Sequence, residues 1–344
     1  MSVSKKLLTA NKKPTGLLTE IGSFTYQTYA VPTKLVMLSD GVTLACNQIV
    51  SLRFFDTSII YSVKYRSTAT FASATRSMCM YNDIIYGSGS TYNEIVKLDC
   101  TEYPTTVRTV YNDTVYTASP YGVSPIGDYG HIIFYGSNSD IIGVLNSSDM
   151  TLVSSISDTA TCYGFIKLNN SNNVIGAFVT GTRLYSIDSS GVLTLNSTTT
   201  GNFSSVSNNG AMCVTSNDSH YISTSVNYLR IYTITNSNTL TIVSSTLDTT
   251  LNSDFNVLYS IELITDDVLA MAVTITSTGN SALALVDISN KATPSVIGFI
   301  EFDYANSVVP AGLYVDKDRS CIFVWLDDNT SNAAILKTVY YNLP

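Results

Sequence analysis

A tight polar turn that leads directly into a short apolar β run occurs seven times along the chain, and this repeat constrains the fold more than any other feature. The first clear strand residues after the seven turns are Val42, Ile84, Ile132, Val174, Tyr221, Val268 and Ile322. Successive runs are separated by 42 to 54 residues, with a mean of about 47. A repeat of this length indicates a fold built from similar supersecondary units that stack on one another.

Each apolar run is followed by two further strand patterns, and one strand pattern precedes it, so that the unit contains four strands. The third strand ends in Asp at four equivalent positions, Asp56, Asp99, Asp188 and Asp287. We expect these aspartates to accept hydrogen bonds from turn amides at the strand ends. Four strands in about 47 residues predict an all-β fold, a seven-bladed β-propeller with four-stranded antiparallel blades.

The apolar runs are apolar at nearly every position, which distinguishes them from the strands of a β-sandwich. Sandwich strands alternate between a buried and a polar face, whereas strands packed between two blades are covered on both faces. The last unit supplies only three strands before the chain ends. We therefore predict that residues 23–31 form the outer strand of blade seven and close the ring, because an open ring would expose a long strand edge.

The composition supports one β domain. Only 13% of the residues are charged, and strong helix formers are scarce, so helix should be nearly absent. We predict a basic N-terminal arm at residues 1–16 and the propeller at residues 17–344. The six cysteines show no metal-ligand spacing and should be reduced core thiols.

The formal net charge of −8 excludes nucleic acid as an expected partner of the body, because phosphate binding requires clustered Lys and Arg. No apolar run approaches the 18 or more residues of a spanning helix, so no membrane insertion is expected. The N-terminus lacks the apolar segment of a secretion signal. We expect a chain that is made in a cytoplasm without a signal peptide.

Residues 283–290, LALVDISN, together with Pro294 and residues 296–298, resemble the LVIVD-type repeat of surface propellers. The order of the strands is also similar to WD40 and YVTN-type repeats, although no Trp-Asp dipeptide closes a strand and the only Trp is Trp325. The resemblance implies the fold far more than the function, because propellers serve many functions.

A second resemblance lies in the composition. The start MSVSKKLLTANKKPTG and the acidic body rich in Ser, Thr, Asn and Tyr look like tail or capsid-associated proteins of prokaryotic viruses. This resemblance implies a non-enzymatic structural or host-recognition module located in the virion. Its expected partners are other virion proteins and a host surface glycan or protein.

Few residues suggest catalysis or metal binding. His131 and His220 each stand alone at the entry to a strand, where a turn residue is the simpler interpretation. Residues 186–191 weakly resemble the Asp-box turns of sialidases. The arginines, however, do not show the pattern of the three that bind a substrate carboxylate in those enzymes. Asp316 and Asp318 have calcium-like spacing without the remaining ligands of a loop site. We therefore predict no enzyme activity, no cofactor and no metal.

Two groups of residues are candidates for partner binding. The arm carries Lys5, Lys6, Lys12 and Lys13 in front of an acidic body, and such asymmetry suggests docking on an acidic neighbour. Tyrosines in loops give a large contact area together with a polar tip, and the candidates are Tyr92, Tyr103, Tyr121 and Tyr129.

Two rival functions remain open from the sequence. One is a propeller carbohydrate-active enzyme, either a glycoside hydrolase or a lyase; a hydrolase would place two carboxylates at the central channel. The other is a cellular scaffold or surface adhesin.

Overall fold

The computed structural model describes residues 17–26, 34–48, 51–72, 75–89, 93–112, 120–126, 129–136, 140–200, 211–225, 227–235, 239–303, 308–328 and 333–343. These residues form seven four-stranded antiparallel sheets, each of which is one blade of a propeller. One short helix is described, α1 (Asp248–Leu251). The prediction of an all-β seven-bladed propeller with almost no helix is confirmed. No helix among the described residues has the length and apolar character needed to cross a bilayer.

The first strand, β1 (Leu18–Tyr26), belongs to blade 7. From the centre of the ring outward, blade 1 contains β2 (Leu35–Met37), β3 (Thr43–Gln48), β4 (Ser51–Asp56) and β5 (Lys64–Thr70). Blade 2 contains β6 (Thr75–Tyr81), β7 (Ile84–Gly89), β8 (Glu94–Asp99) and β9 (Val107–Asn112). Blade 3 contains β10 (Pro120–Ile126), β11 (His131–Gly136), β12 (Ile141–Asn146) and β13 (Leu152–Ser157).

The remaining blades follow the same order. Blade 4 contains β14 (Cys162–Lys167), β15 (Asn173–Phe178), β16 (Gly181–Ile187) and β17 (Leu193–Thr200). Blade 5 contains β18 (Met212–Val214), β19 (His220–Ser225), β20 (Tyr228–Thr235) and β21 (Thr239–Leu247). Blade 6 contains β22 (Phe255–Thr265), β23 (Val268–Ile275), β24 (Ser281–Asp287) and β25 (Ser295–Phe302). Blade 7 contains β26 (Val308–Asp316), β27 (Cys321–Asp328) and β28 (Ala333–Tyr341), with β1 outermost.

The core is divided among the seams between neighbouring blades. Seven apolar clusters are described, and each joins one pair of adjacent blades around the ring. Strands β11 and β15 are buried at every position because blades cover both of their faces. All six cysteines are buried free thiols, as predicted. Burial raises the pKa of Cys79 and of Cys321 to about 12, so these thiols stay protonated and unreactive at neutral pH.

The N-terminal strand closes the ring. Strand β1 pairs antiparallel with β28, from Leu18 opposite Tyr341 to Tyr26 opposite Ala334. The predicted closure is confirmed, but the strand begins at Leu18 rather than at residue 23, and residues 27–33 lie outside the described part of the chain. It begins earlier because Leu18 packs into the seam between blades 6 and 7, while Ile21 and Phe24 pack into the seam between blades 7 and 1.

The aspartates at the ends of the third strands accept hydrogen bonds from turn amides, as predicted. The donors to Asp56, Asp99, Asp188 and Asp287 are the amides two residues further on, at N–O distances of 2.8, 3.0, 2.9 and 2.8 Å. Hydrogen bonds from Thr101 lower the pKa of Asp99, and those from Ser289 lower the pKa of Asp287. These carboxylates therefore fix the outer turns in their ionised form.

Candidate functional site

A pocket lies at the centre of the ring, on the face at which the innermost strands end. We call this the pocket face; it carries the turns at residues 38–42, 82–83, 168–172, 215–219, 266–267 and 317–320. The pocket has two adjoining halves, with cavity volumes of about 290 and 310 Å³. The halves share Lys34, Ile166, Lys167 and Asn169. Residues of blades 5, 6 and 7 complete the first half, and residues of blades 2, 3 and 4 complete the second.

Lysines from three blades meet at this pocket. Lys34 directly precedes β2 of blade 1, Lys167 is the last residue of β14 in blade 4, and Lys317 directly follows β26 of blade 7. The Lys167 Nζ donates to the carbonyl of Leu168 at 2.9 Å. Within the described part of the chain, neither Lys34 nor Lys317 forms an ion pair. An acidic chain thus collects positive charge at one small site.

Glu262 on β22 lines the same half of the pocket as Lys317. Its Oε2 accepts a hydrogen bond from the backbone N–H of Val315 in the next blade, at 3.0 Å. Burial raises the pKa of Glu262 to about 7, although the ammonium groups of Lys34 and Lys317 and the hydrogen bond from Val315 act in the opposite direction. The side chain therefore exchanges a proton near neutral pH, where it can accept or donate one.

The pKa of Glu262 leads to a prediction about stability. Its pKa in the folded protein is about 7 and its ordinary value is 4.5, so the folded state holds the proton more tightly between these pH values. The contribution of Glu262 to stability is therefore largest below pH 4.5 and decreases as the pH rises to 7, by roughly 1–3 kcal/mol. Glutamine does not titrate, so Glu262→Gln should not share this loss. The free energy of unfolding of the variant minus that of the wild type, measured in urea, should therefore be higher at about pH 8 than at about pH 5 by this amount.

The matched control is Glu102→Gln, because Glu102 is exposed and lies outside the pocket. This variant should show the same difference from the wild type at both pH values. If the difference between Glu262→Gln and the wild type were equal at both pH values, the raised pKa of Glu262 would be wrong.

Hydrogen bonds between blades hold the turns around the pocket. The carboxylate of Asp218 in blade 5 accepts from the backbone amides of Asn169 and Asn170 in blade 4, at 2.7 and 2.6 Å. The same arrangement joins blades 5 and 6, where Asp266 accepts from the Ser216 amide at 2.8 Å. It also joins blades 1 and 2, where the Ser39 amide donates to Asp83 at 2.7 Å. Asn169, which lines the pocket, is therefore held by the neighbouring blade.

The two histidines lie apart from the pocket and from each other. His131 begins β11 of blade 3 and is buried beside Gly191, which lies in the turn between β16 and β17 of blade 4. His220 begins β19 of blade 5, and its Nδ1 pairs with the hydroxyl of Ser219 at 2.8 Å. Burial, with a smaller effect from Lys291, lowers the pKa of His220. Both residues are turn-flanking strand residues on different blades.

Asp316 is engaged by Arg319. It accepts from the Arg319 backbone amide at 3.0 Å and from the guanidinium Nε at 2.5 Å. Arg319 continues across the ring closure and donates through Nη2 to the Thr57 hydroxyl at 3.0 Å. Among the described residues, no group of three or more His, Cys, Asp or Glu side chains is placed to hold a metal.

The arginines are dispersed rather than convergent. Ion pairs join Arg66 to Asp56, Arg108 to Glu94, Arg183 to Asp158 and Arg319 to Asp316, each within or beside a different blade. The chain has seven arginines, and none of them is among the described residues that line the pocket. Residues 186–191, the Asp-box echo, form an ordinary turn in which Asp188 accepts from the amides of Ser190 and Val192, each at 2.9 Å.

The candidate partner-binding residues are placed in separate elements. Lys5, Lys6, Lys12, Lys13 and Tyr92 lie outside the described residues, and the side chain of Tyr121, in strand β10, does so as well. The Tyr103 ring packs on Phe54 with centroids 4.8 Å apart, and its hydroxyl pairs with Ser67 at 2.7 Å. Tyr129 is 40% exposed at the turn before β11.

Sequence reasoning missed all four charged residues of the pocket. Lys34, Lys167, Lys317 and Glu262 are far apart in the chain, and no local motif marks them. One signal was present: Lys167 and Lys317 both lie where an innermost strand ends. An alignment of the seven units on one another would have placed both lysines on the same end of the channel.

No family model and no curated protein sequence matches the chain. Solved structures of similar shape exist. A functionally unknown protein from Desulfotomaculum acetoxidans is 12% identical, with a TM-score of 0.61, and the match covers 79% of this chain and 86% of that one. A streptogramin B lyase is 16% identical, also with a TM-score of 0.61, and the match covers 94% of this chain and 97% of the lyase. At these identities the likeness shows the propeller fold alone.

Proposed function

We propose that the protein is a non-enzymatic binding module and that the pocket at the centre of the ring holds an anionic group of its ligand. The observation that carries this proposal is the meeting of Lys34, Lys167 and Lys317 from three blades of a chain whose net charge is −8. Ammonium groups that line one site repel one another, and a bound counter-charge relieves that repulsion. An anionic ligand would supply that counter-charge, and the hydrogen bonds between blades would keep the site preorganised.

Binding of inorganic phosphate tests the proposal. We expect isothermal titration to detect weak binding to the wild type at low ionic strength. The double variant Lys34→Met, Lys317→Met should bind about tenfold more weakly or worse, because it removes two charged partners. Lys64→Met is the control, because Lys64 is an exposed residue on the outer strand of blade 1. The proposal fails if phosphate does not bind to the wild type, or if the double variant binds phosphate as tightly as the wild type does.

The setting that we propose is the virion of a prokaryotic virus, with other virion proteins and a host surface glycan or protein as partners. The support is the compositional resemblance together with a closed ring whose seven seams are apolar. We propose accordingly that the chain is made in the host cytoplasm and needs neither cofactor nor nucleic acid. Mass spectrometry of purified particles tests this setting. Particles that lack the protein would rule it out.

Glu262 favours a second candidate, a carbohydrate-active enzyme. A carboxyl group with a pKa of about 7 in a pocket is suited to general acid–base catalysis. Glycoside hydrolysis uses a pair of carboxylates, and Glu262 is the one carboxylate among the described lining residues. The pocket therefore fits a lyase better than a hydrolase, with the lysines beside a substrate carboxylate. Product formation from acidic oligosaccharides that Glu262→Gln abolishes would favour the enzyme over the binding module.

A further inference from the structure

The pocket is larger than a small inorganic anion requires. Its two halves have cavity volumes of about 290 and 310 Å³ and share four of their lining residues. Pockets that hold small organic molecules begin at about 300 Å³. The lining also contains many carbon atoms, contributed by Met212, Leu263 and Leu313 in the first half and by Met80 and Pro125 in the second. The size and the mixed lining indicate an organic ligand that carries an anionic group.

The charged groups are concentrated in the first half. Lys317 and Glu262 line the first half but not the second, while Lys34 and Lys167 line both halves. The groups that act on Glu262 from the surrounding elements are Lys34 before β2 and Lys317 after β26. A ligand anion between these lysines would lie beside the Glu262 carboxyl, which in its protonated form can donate a hydrogen bond to it.

The second half offers a different surface. Tyr81, at the end of β6, lines it and is 37% exposed, so part of this residue is accessible to a ligand. Ser124 and Asn169 line the same half and carry a hydroxyl and an amide group. An aromatic face beside hydroxyl and amide groups suits a molecule with one apolar face and a polar edge, such as a pyranose.

We infer, on the basis of the proposed binding function, that the ligand is an acidic saccharide whose carboxylate lies between Lys34 and Lys317 and whose ring packs on Tyr81. A carboxylate suits the site because Lys34 and Lys317 supply its counter-charge and the protonated Glu262 carboxyl can donate a hydrogen bond to one of its oxygens.

A panel of sugars that differ only at carbon 6 tests the inference. The probes are hexose, hexuronate and hexose 6-phosphate in the glucose and galactose configurations, with inorganic phosphate as the simple anion. At low ionic strength we expect one hexuronate to bind at least tenfold more tightly than its neutral hexose, and more tightly than its 6-phosphate and inorganic phosphate.

Variants connect the preference to the residues. The double variant Lys34→Met, Lys317→Met should lose the preference for hexuronate over hexose. Tyr81→Ala should weaken the hexuronate about tenfold while leaving phosphate binding within twofold, because phosphate has no ring to pack. Lys64→Met should match the wild type.

The outcomes separate the inference from the function on which it rests. Phosphate binding that depends on the lysines, together with hexuronates that bind no better than phosphate or the 6-phosphates, overturns the saccharide inference and leaves the anion site standing. Equal affinity for hexose and hexuronate overturns it too. A protein that binds no probe overturns both.

Discussion

Removal of residues 1–26 should lower the free energy of unfolding by roughly 4–6 kcal/mol, whereas removal of residues 1–16 should change it by less than about 1 kcal/mol. The larger deletion removes β1 and the smaller one leaves it intact. A loss of this size is a large part of the stability of an ordinary domain. We expect the larger deletion to melt at a much lower temperature.

The effect follows from what β1 covers. Its apolar side chains, Leu18, Ile21 and Phe24, pack into the two seams on either side of blade 7. Its Glu20 carboxylate pairs with Lys337, whose Nζ lies 2.6 Å from Oε1 and is nearly buried. Without β1, Lys337 loses this partner and β28 becomes an unpaired edge strand.

Trp325 gives a direct measurement. It is the only Trp in the chain, it is 1% exposed, and it belongs to the seam between blades 7 and 1. The emission of Trp325 should shift to longer wavelength on unfolding, and this shift should occur at a lower urea concentration in the larger deletion than in the smaller one. Equal unfolding midpoints for the two deletions would show that β1 does not hold the ring closed.

The positions of the strands were predictable because each blade repeats a local pattern. The residues SVIGFIEF at 295–302 predict a fourth strand from their own pattern, and β25 has these bounds. The start of β1 was not predictable in the same way. Leu18 and Ile21 join the strand because of seams formed by residues some 300 positions away.

The pocket could not be predicted because it exists only after the ring has closed. Lys34, Lys167 and Lys317 are separated by more than a hundred residues each, and none belongs to a local motif. The raised pKa of Glu262 depends on its burial, which the sequence around it does not indicate. A repeat predicts the scaffold well, because each blade resembles the next. It predicts the site poorly, because the charged residues are those that differ from blade to blade.

The seams therefore connect stability to function. Glu262 bonds to the backbone of blade 7, and Asp218 bonds to that of blade 4, so the pocket keeps its shape only while adjacent blades remain packed. Loss of packing in the seam between blades 7 and 1 would separate Lys34 from Lys317, which lie on its two sides. We therefore expect changes in that seam to weaken anion binding as well as stability.

Phe55→Ala should lower the free energy of unfolding by about 3–5 kcal/mol and shift the native emission of Trp325 to longer wavelength. Phe55 is fully buried at the centre of the seam between blades 7 and 1. Its ring centroid lies 5.6 Å from that of Trp325 and 5.8 Å from that of Phe24 on the closing strand. Truncation leaves a cavity that touches blade 1, blade 7 and β1 together, and the surrounding blades can collapse into it only in part.

Phe54→Ala is the matched control, because Phe54 is the preceding residue on β4 and is also buried, but it faces the seam between blades 1 and 2. It should cost a similar 3–5 kcal/mol in urea unfolding and leave the native Trp325 emission unchanged. The two variants thus separate loss of core volume from opening of the closure, since both remove the same atoms from opposite faces of one strand. An equal emission shift in both, or none in Phe55→Ala, would mean that the seams do not act as separate packing units and that closure is not concentrated between blades 7 and 1.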